Sequence, residues 1–311
     1  MKKNKKKNRV GIVVEYNPFH NGHIYQINWI KKNIPNPYII VAMSNKFTQR
    51  GEIACASFRE RKKIAKAYGV DKVVKLADQD VIQAAHIFAQ AGVKLLNKHK
   101  IDYLVFGSES NNVELLINIA KTIKEKNQEY NQLVKQYLKK GANSFPRANN
   151  LALQTLMNQN IEMPNDILGL EYIKTIVNND LPIQPISIER TIQYHAAETK
   201  QNFASASKIR EMLKNGQDVS MYTPMKLSYN PKNDIAKTYP KFKKIILTKT
   251  PKQLAQYKLI DEGIENLFKK QVLANDNYAD FIESCVSKRY TRSRIQRSYL
   301  NILLKIKKAK A

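Results

Sequence analysis

Between residues 9 and 109, four short apolar runs rich in β-branched residues alternate with stretches whose apolar positions recur at helical spacing. The runs are "RVGIVVEY" (9–16), "YIIVAMS" (38–44), "VDKVVKLA" (70–77) and "IDYLVFGSE" (101–109). Between them lie "GHIYQINWIKKN", with Ile24, Ile27 and Ile30 in step, then "FRERKKIAKAYG" (58–69), closed by Gly69, then a single long helix over 79–99. Such strands join in parallel through right-handed helical crossovers, so the pattern predicts an α/β fold: a Rossmann-like parallel sheet with helices on both faces. A fifth strand is expected at "LPIQPISIER" (181–190), after a helical stretch from 112 to 180 in which Asn165 would cap a helix. Beyond about residue 220 the sequence reads mainly as helices. The chain therefore divides into a basic tail (1–8), an α/β unit (9–218) and a helical, basic unit (219–311), with no internal repeat.

Charge narrows the partner. The chain carries 53 Lys+Arg against 26 Asp+Glu, a net +27. A field this basic draws polyanions, nucleic acid first. The richness in Lys, Asn and Ile also fits an AT-rich genome, so the placement of charge has to decide. No apolar run is long enough to span a bilayer, which speaks against a membrane partner. The two cysteines, Cys55 and Cys285, are far apart and fit no metal-ligand spacing, which points to a reducing cytoplasm and away from zinc or any other dedicated metal site.

The first strand-to-helix turn, "VVEYNPFHNGH" (13–23), holds two of the five histidines in the chain. In an open parallel sheet, ligands sit beyond the carboxyl ends of the strands, where free N–H groups of a helix favour an anion. Gly22 removes a side chain there, and His20 and His23 are one helical turn apart. Two imidazoles on one phosphate could stabilise charge developing on its oxygens. An isolated HxxH is ordinarily a packed or surface pair; its place after strand one reverses that reading. It is neither a P-loop nor GxGxxG. After the last strand, "ASASKIR" (204–210) offers Ser205 and Ser207 as cap and phosphate ligands, with Lys208 and Arg210 for a leaving pyrophosphate.

"NPFHNGH" resembles the (T/H)xGH signature of the nucleotidyltransferase superfamily, and "ASASKIR" its second, ISSTxxR-type motif. The ordered series "GIVVEYNPFHNGH", "FTQRGE", "FGSE", "PNDILGLEYI", "ASASKIR", "EGIEN" and "KRYTRSRIQR" is similar to the bacterial tRNA(Met) cytidine acetate ligase family, over nearly the whole chain. The resemblance implies an enzyme that activates acetate with ATP as acetyl-adenylate. It then acetylates N4 of the wobble cytidine of elongator tRNA(Met); the nucleic acid is tRNA and not DNA. It implies an ATP site of Val13, Val14, Glu15, Tyr16, Asn17, Pro18, Phe19, His20, Asn21, Gly22, His23, Ile24, Tyr25 and Gln26. To these it adds Gly107 and Asn165 near the adenine, Arg190 at the end of strand five, and Ser205, Ser207 and Lys208. His20, His23 and Arg210 would be catalytic, and Mg²⁺ would bridge the phosphates without a protein cage. The histidine the family carries after that arginine has no direct counterpart; His195 in "ERTIQYHAAETK" is the nearest. A general base for cytidine attack is open between Glu15 and Glu109. Lys46 or Arg50, in the loop after strand two, could be the counter-ion of acetate.

"KRYTRSRIQR" (288–297) supplies Lys288, Arg289, Arg292, Arg294 and Arg297 around Tyr290, expected as one basic helical face with a ring to stack an unpaired base. Two other classes fit parts of the sequence. An adenylyl- or cytidylyltransferase with a small phosphorylated acceptor would share the two phosphate motifs but not the basic segment. A non-catalytic RNA-binding protein on a nucleotide-binding fold would explain the charge alone.

Overall fold

A computed structural model of the chain describes residues 7–139, 145–158, 166–190, 202–231 and 234–309. The strands β1 (Asn8–Val14), β2 (Pro37–Ser44), β3 (Lys72–Leu76), β4 (Tyr103–Ser108) and β5 (Gln184–Glu189) form one sheet in the order β3-β2-β1-β4-β5, every pair parallel. Chain order reverses between β1 and β4, which makes the crevice above them the switch point. These two strands pair only at Val10–Tyr103 and Gly11–Leu104, whereas β1 pairs with β2 along its whole length. Past Gly11 they part, and Gln26 from the following helix donates to the Val105 carbonyl at 3.4 Å in the gap.

Alternate residues of each strand point to opposite faces, and both faces are covered. On one, Val10, Ile12, Ile39, Val41 and Met43 pack with Ile27 and Ile30 of α1 (Asn21–Asn33) and Ala65 of α2 (Phe58–Ala67). On the other, Ile40, Ala42, Leu104 and Phe106 pack with α4 (Ala85–Lys98), α5 (Val113–Glu125) and α8 (Ile167–Asn178). The fold is the expected α/β one. Two further helices, α6 (Asn127–Lys139) and α7 (Phe145–Met157), pair beside α5.

The single helix expected over 79–99 is broken. A short turn, α3 (Asp78–Val81), precedes α4, because Ile82 leaves the helical line to be buried among apolar residues of the C-terminal helices. Periodicity within one segment cannot register partners that begin only at Tyr239.

After α9 (Ala206–Lys214), Thr223 donates to the Phe19 carbonyl at 2.6 Å and Met225 joins the sheet core, so residues 219–227 pack on the sheet unit. A second cluster follows, built by a 3-10 turn (Ile235–Thr238), α10 (Tyr239–Thr248), α11 (Pro251–Leu254), α12 (Ile264–Ala274), α13 (Tyr278–Cys285) and α14 (Arg292–Leu303). Phe242, Phe268, Phe281 and Tyr299 pack at its centre, mostly edge to face, with contacting ring centroids 4.1–6.5 Å apart. Phe47 and Ile82, from loops above the sheet, are buried in the same cluster, so the two cores share a border at the carboxyl edge of the sheet. Among the described residues no helix is long and apolar enough to cross a membrane.

Candidate active site

The turn after β1 is built from its own side chains. His20 is the N-cap of α1: its Nδ1 accepts the Gly22 N–H at 3.1 Å, while Nδ1 of His23 accepts the His20 N–H at 3.1 Å. This is the reciprocal capping arrangement usually made by Ser and Glu, here made by two imidazoles. Each Nδ1 must be unprotonated to accept, so each ring carries its proton on Nε2. The rings lie 3.8 Å apart between centroids, and His23 is wedged against Tyr16 (4.6 Å) and Phe19 (5.6 Å). Burial, and then the Arg210 guanidinium, push the His20 pKa down to about 4; burial, and then His20, hold His23 well below the ordinary value. The pair is therefore neutral at physiological pH, two N–H donors rather than two cations. Tyr16, buried and at φ +50°, takes a left-handed backbone conformation that costs energy for a bulky residue, as turns at functional sites often do.

A cleft of about 290 Å³ opens above this turn. Its floor is the β1 end and α1: Val13, Val14, Glu15, Tyr16, Asn17, His20, Gly22, His23, Tyr25 and Gln26. One side is Phe106, Gly107, Leu168, Gly169, Tyr172 and Arg190; the other is Thr48, Gln49, Arg50 and Glu52; the α9 segment Phe203–Ser207 with Arg210 closes it. A Cβ on Gly169 would lie 2.8 Å from the Phe106 ring, and one on Gly107 would lie 3.2 Å from Arg190 Cγ. Both glycines thus keep the apolar side of the cleft thin. Asp166, just before α8, accepts from Ser108 Oγ (2.5 Å), Ser110 Oγ (2.8 Å) and the Glu109 N–H (2.8 Å). Burial alone would raise its pKa, but these bonds outweigh it and hold the carboxyl below its usual range. Asp166 thereby ties the β4 loop to α8.

Ser205 caps α9 by accepting the Lys208 N–H at 3.2 Å, which aims the helix N-terminus at the cleft. Arg210 crosses back to β1: it donates to the Asn17 carbonyl at 2.8 Å, pairs with Glu52 at 3.0 Å and donates to Ser207 Oγ at 3.4 Å. Underneath, fully buried Arg61 donates to the carbonyls of Ala56 (3.1 Å), Glu15 (2.5 Å), Ser44 (3.1 Å) and Asn45. One guanidinium thus holds the loops leaving both β1 and β2. Sequence gave no sign of this, since Arg61 is one of four cations in "FRERKK".

Several sequence-derived positions stand elsewhere. Pro18, Phe19, Asn21 and Ile24 do not line the cleft. Phe19 is buried in the core beneath it, and Asn21 ties α1 to the carbonyls of Asn202 (2.7 Å) and Met221 (2.9 Å). Lys208 is one position out of phase with the cleft-lining Ser205, Ser207 and Arg210, and pairs with Glu211 at 3.4 Å. Asn165 and His195 lie outside the described residues; the helix cap is at Asp166, whose carboxylate does the work described above. Glu109 is engaged by Arg190 at 3.5 Å, while Glu15 lines the cleft and accepts the Gln49 N–H at 2.6 Å, its pKa raised chiefly by burial. Of the two acetate counter-ions considered, Arg50 lines the cleft; Lys46 lies outside it, 5.7 Å from the Phe47 ring centroid.

The basic segment is also not one helical face. Thr291 is the N-cap of α14, so Lys288, Arg289 and Tyr290 precede the helix. Tyr290 is buried and donates to the Glu262 carbonyl, because its ring completes the C-terminal core; it offers no open face to a base. Lys288, Arg289 and Arg292 are exposed, Arg292 pairing with Glu283 and Arg289 with Glu262 at 3.8 Å. Arg294 is held by Asp261 at 2.6 Å. Arg297 points inward, toward the loop after β2.

A Rossmann-type sheet with a His-x-Gly-His turn at its switch point and a serine-capped helix opposite is the architecture of a nucleotidyltransferase. The chain accordingly matches the HIGH Nucleotidyl Transferase family over residues 7–311. Within that class it belongs to the tRNA(Met) cytidine acetate ligase family. It is 60% identical over 301 residues to the protein of that name from Mycoplasmopsis synoviae (strain 53), covering 96% of this chain and 98% of that protein. It is 37% identical to the one from Anoxybacillus flavithermus, over 96% of this chain and 78% of that one. Its fold superposes on crystalline Thermotoga maritima TmcAL bound with alpha-thio ATP, with a TM-score of 0.85 and 30% identity, over 97% of this chain and 76% of that one.

Proposed function

We propose that the chain is an ATP-dependent ligase that joins acetate to N4 of the wobble cytidine of elongator tRNA(Met). ATP lies in the cleft with its adenine toward Gly107 and Tyr172 and its phosphates between the His20–His23 pair and the start of α9. The observation that carries this is the bonding of the two rings: both Nδ1 atoms accept backbone N–H groups in capping α1, which assigns the protons to Nε2 and leaves two neutral donors beside the cleft. Neutral donors suit an α-phosphate under attack by an anion. They stabilise charge as it grows on the phosphoryl oxygens and need no reorganisation. An acetate oxygen attacks the α-phosphorus and pyrophosphate leaves with the electron pair, toward Arg210 and the α9 N-terminus. The cytidine amine then attacks the acetyl carbon, AMP departs with the C–O bond electrons, and the amine loses a proton. Exposed Lys288, Arg289 and Arg292 supply part of the surface for tRNA phosphates.

Mg²⁺ fits as a companion of the triphosphate. Among the described residues no three His, Cys, Asp or Glu side chains converge as metal ligands. The carboxylates that line the cleft are Glu15, Glu52 and Glu189. The ion would shield phosphate charge while Arg210 and the two histidines hold the phosphates.

The test uses isotopically labelled acetate and labelled acetyl-CoA, each with and without ATP, and follows label into tRNA(Met). Label from acetate only with ATP, together with AMP release, is the expected result. Label from acetyl-CoA alone, or none from acetate with ATP, would overturn the proposal.

A further inference from the structure

The arginines of α14 divide into two groups. Arg292 and Arg294 reach outward to carboxylates. Arg297 is turned between the helix and the loop Lys46–Ala54, where its Nη1 donates to the Gln49 carbonyl at 3.3 Å. Its Nε is sealed from solvent and meets no acceptor among the described residues, and burial, with Arg294 nearby, lowers its pKa to about 10. A half-buried guanidinium with a sealed, unmet Nε donor is a poor way to glue two surfaces, since apolar packing would do better.

Around it the loop rests directly on the helix. Gly51 is at φ +86°, and a Cβ there would lie 2.9 Å from the backbone of Gln296. The loop is internally braced: Thr48 N–H donates to Glu52 O (2.9 Å), Gly51 N–H to Thr48 O (3.0 Å) and Ala54 N–H to Lys46 O (2.9 Å). Its far side is the cleft wall. There Gln49 N–H donates to Glu15 (2.6 Å), Gln49 Nε2 donates to the Gln83 carbonyl (2.9 Å), and Glu52 pairs with Arg210 (3.0 Å).

We infer that Arg297 is a positioning residue for acetate activation: through the Gln49 carbonyl it fixes the loop that forms one wall of the cleft, and it is not a tRNA phosphate contact. The inference rests on the proposed reaction. The same helix that bears the exposed Arg292 therefore also sets the distance between Thr48, Gln49, Arg50 and Glu52 and the histidine pair. A wall displaced by an ångström is enough to spoil an attack geometry.

The experiment uses the full chain as wild type, Arg297→Met, Arg297→Lys and Gly51→Ala. It measures acetate-dependent exchange of labelled pyrophosphate into ATP, with tRNA binding at several salt concentrations alongside. Arg297→Met should lower kcat for exchange by about tenfold or more, with KM for ATP and the affinity and salt slope for tRNA nearly unmoved. Arg297→Lys, which can still donate once to the Gln49 carbonyl, should recover part of the rate. Gly51→Ala should lower kcat in the same way, because its Cβ pushes the loop off the helix without altering any cation. Wild-type kcat in Arg297→Met overturns the inference, as does intact exchange with weakened tRNA binding and a flatter salt slope. If Arg297→Met fails to fold, Gly51→Ala decides, and wild-type kcat there overturns it. Absence of exchange in the wild-type chain would overturn the proposed function, and the inference with it.

Discussion

Replacing the histidine pair without disturbing the helix it caps isolates its chemistry. In His20→Asn the amide oxygen can still accept the Gly22 N–H, since Asn is among the best N-cap residues. In His23→Gln the carbonyl can still reach back to the His20 N–H, as Gln does at this position of a capping box. What each variant loses is an Nε2–H donor and, at His23, a ring packed against Tyr16 and Phe19. The stability cost should be about 1–2 kcal/mol, from one aromatic contact and a slightly worse cap, seen as a few degrees in Tm. The catalytic cost should be far larger. Loss of one preorganised donor to a transition state is worth about 10²–10³ in rate, or roughly 3–4 kcal/mol. Because the rings are 3.8 Å apart and are proposed to act on one phosphate, the double variant should lose less than the product of the single losses. Acetate-dependent pyrophosphate exchange reads the rate, and far-UV circular dichroism confirms the fold. Exchange within twofold of wild type in both folded single variants would refute the tautomer argument and remove the histidines from the reaction.

Three other outcomes follow from the same geometry. His20 has a folded pKa near 4 against an ordinary 6.5, so the unfolded chain binds more protons between those values. Stability should hold above pH 6.5 and fall as pH drops through that window; melting curves at pH 7.5, 5.5 and 4.5 should show it, less steeply in His20→Asn. Arg61→Met leaves the carbonyls of Glu15, Ser44, Asn45 and Ala56 short of a donor inside the protein, and should cost on the order of 3 kcal/mol in urea unfolding; a loss under about 1 kcal/mol would mean the loops find other donors. Arg289→Ala with Arg292→Ala should weaken tRNA binding and reduce its log–log salt slope by up to about 2, at roughly 0.9 per phosphate contact, whereas Glu283→Gln, which frees Arg292, should strengthen binding; unchanged slopes would make this patch a solvated surface.

The sequence by itself determined the α/β sheet, its strand sequence and the position of the turn proposed to bind phosphate. These are written in short-range patterns: β-branched runs of strand length, apolar residues at helical spacing, and a His-x-Gly-His turn that must fall at a strand end. It also marked Ser205, Ser207 and Arg210 as one helix start, because a cap and the turns behind it are local; that this start faces the first turn was implied by the motif resemblance and is realised by the bonds of Arg210 to Asn17 and Glu52. The tertiary structure alone decided what depends on distant partners. Ile82 breaks a helix to enter a core assembled from residues 239–303. Tyr290, read as a ring for bases, is buried in that core, and Arg297, read as a phosphate contact, is turned onto Gln49. Arg61 looks like any other cation of its helix, and only the fold brings the loops after β1 and β2 together on it. A side chain's charge is set by its residue type, but whether that charge meets solvent, a phosphate or a carbonyl depends on which segments, far apart in the chain, pack around it.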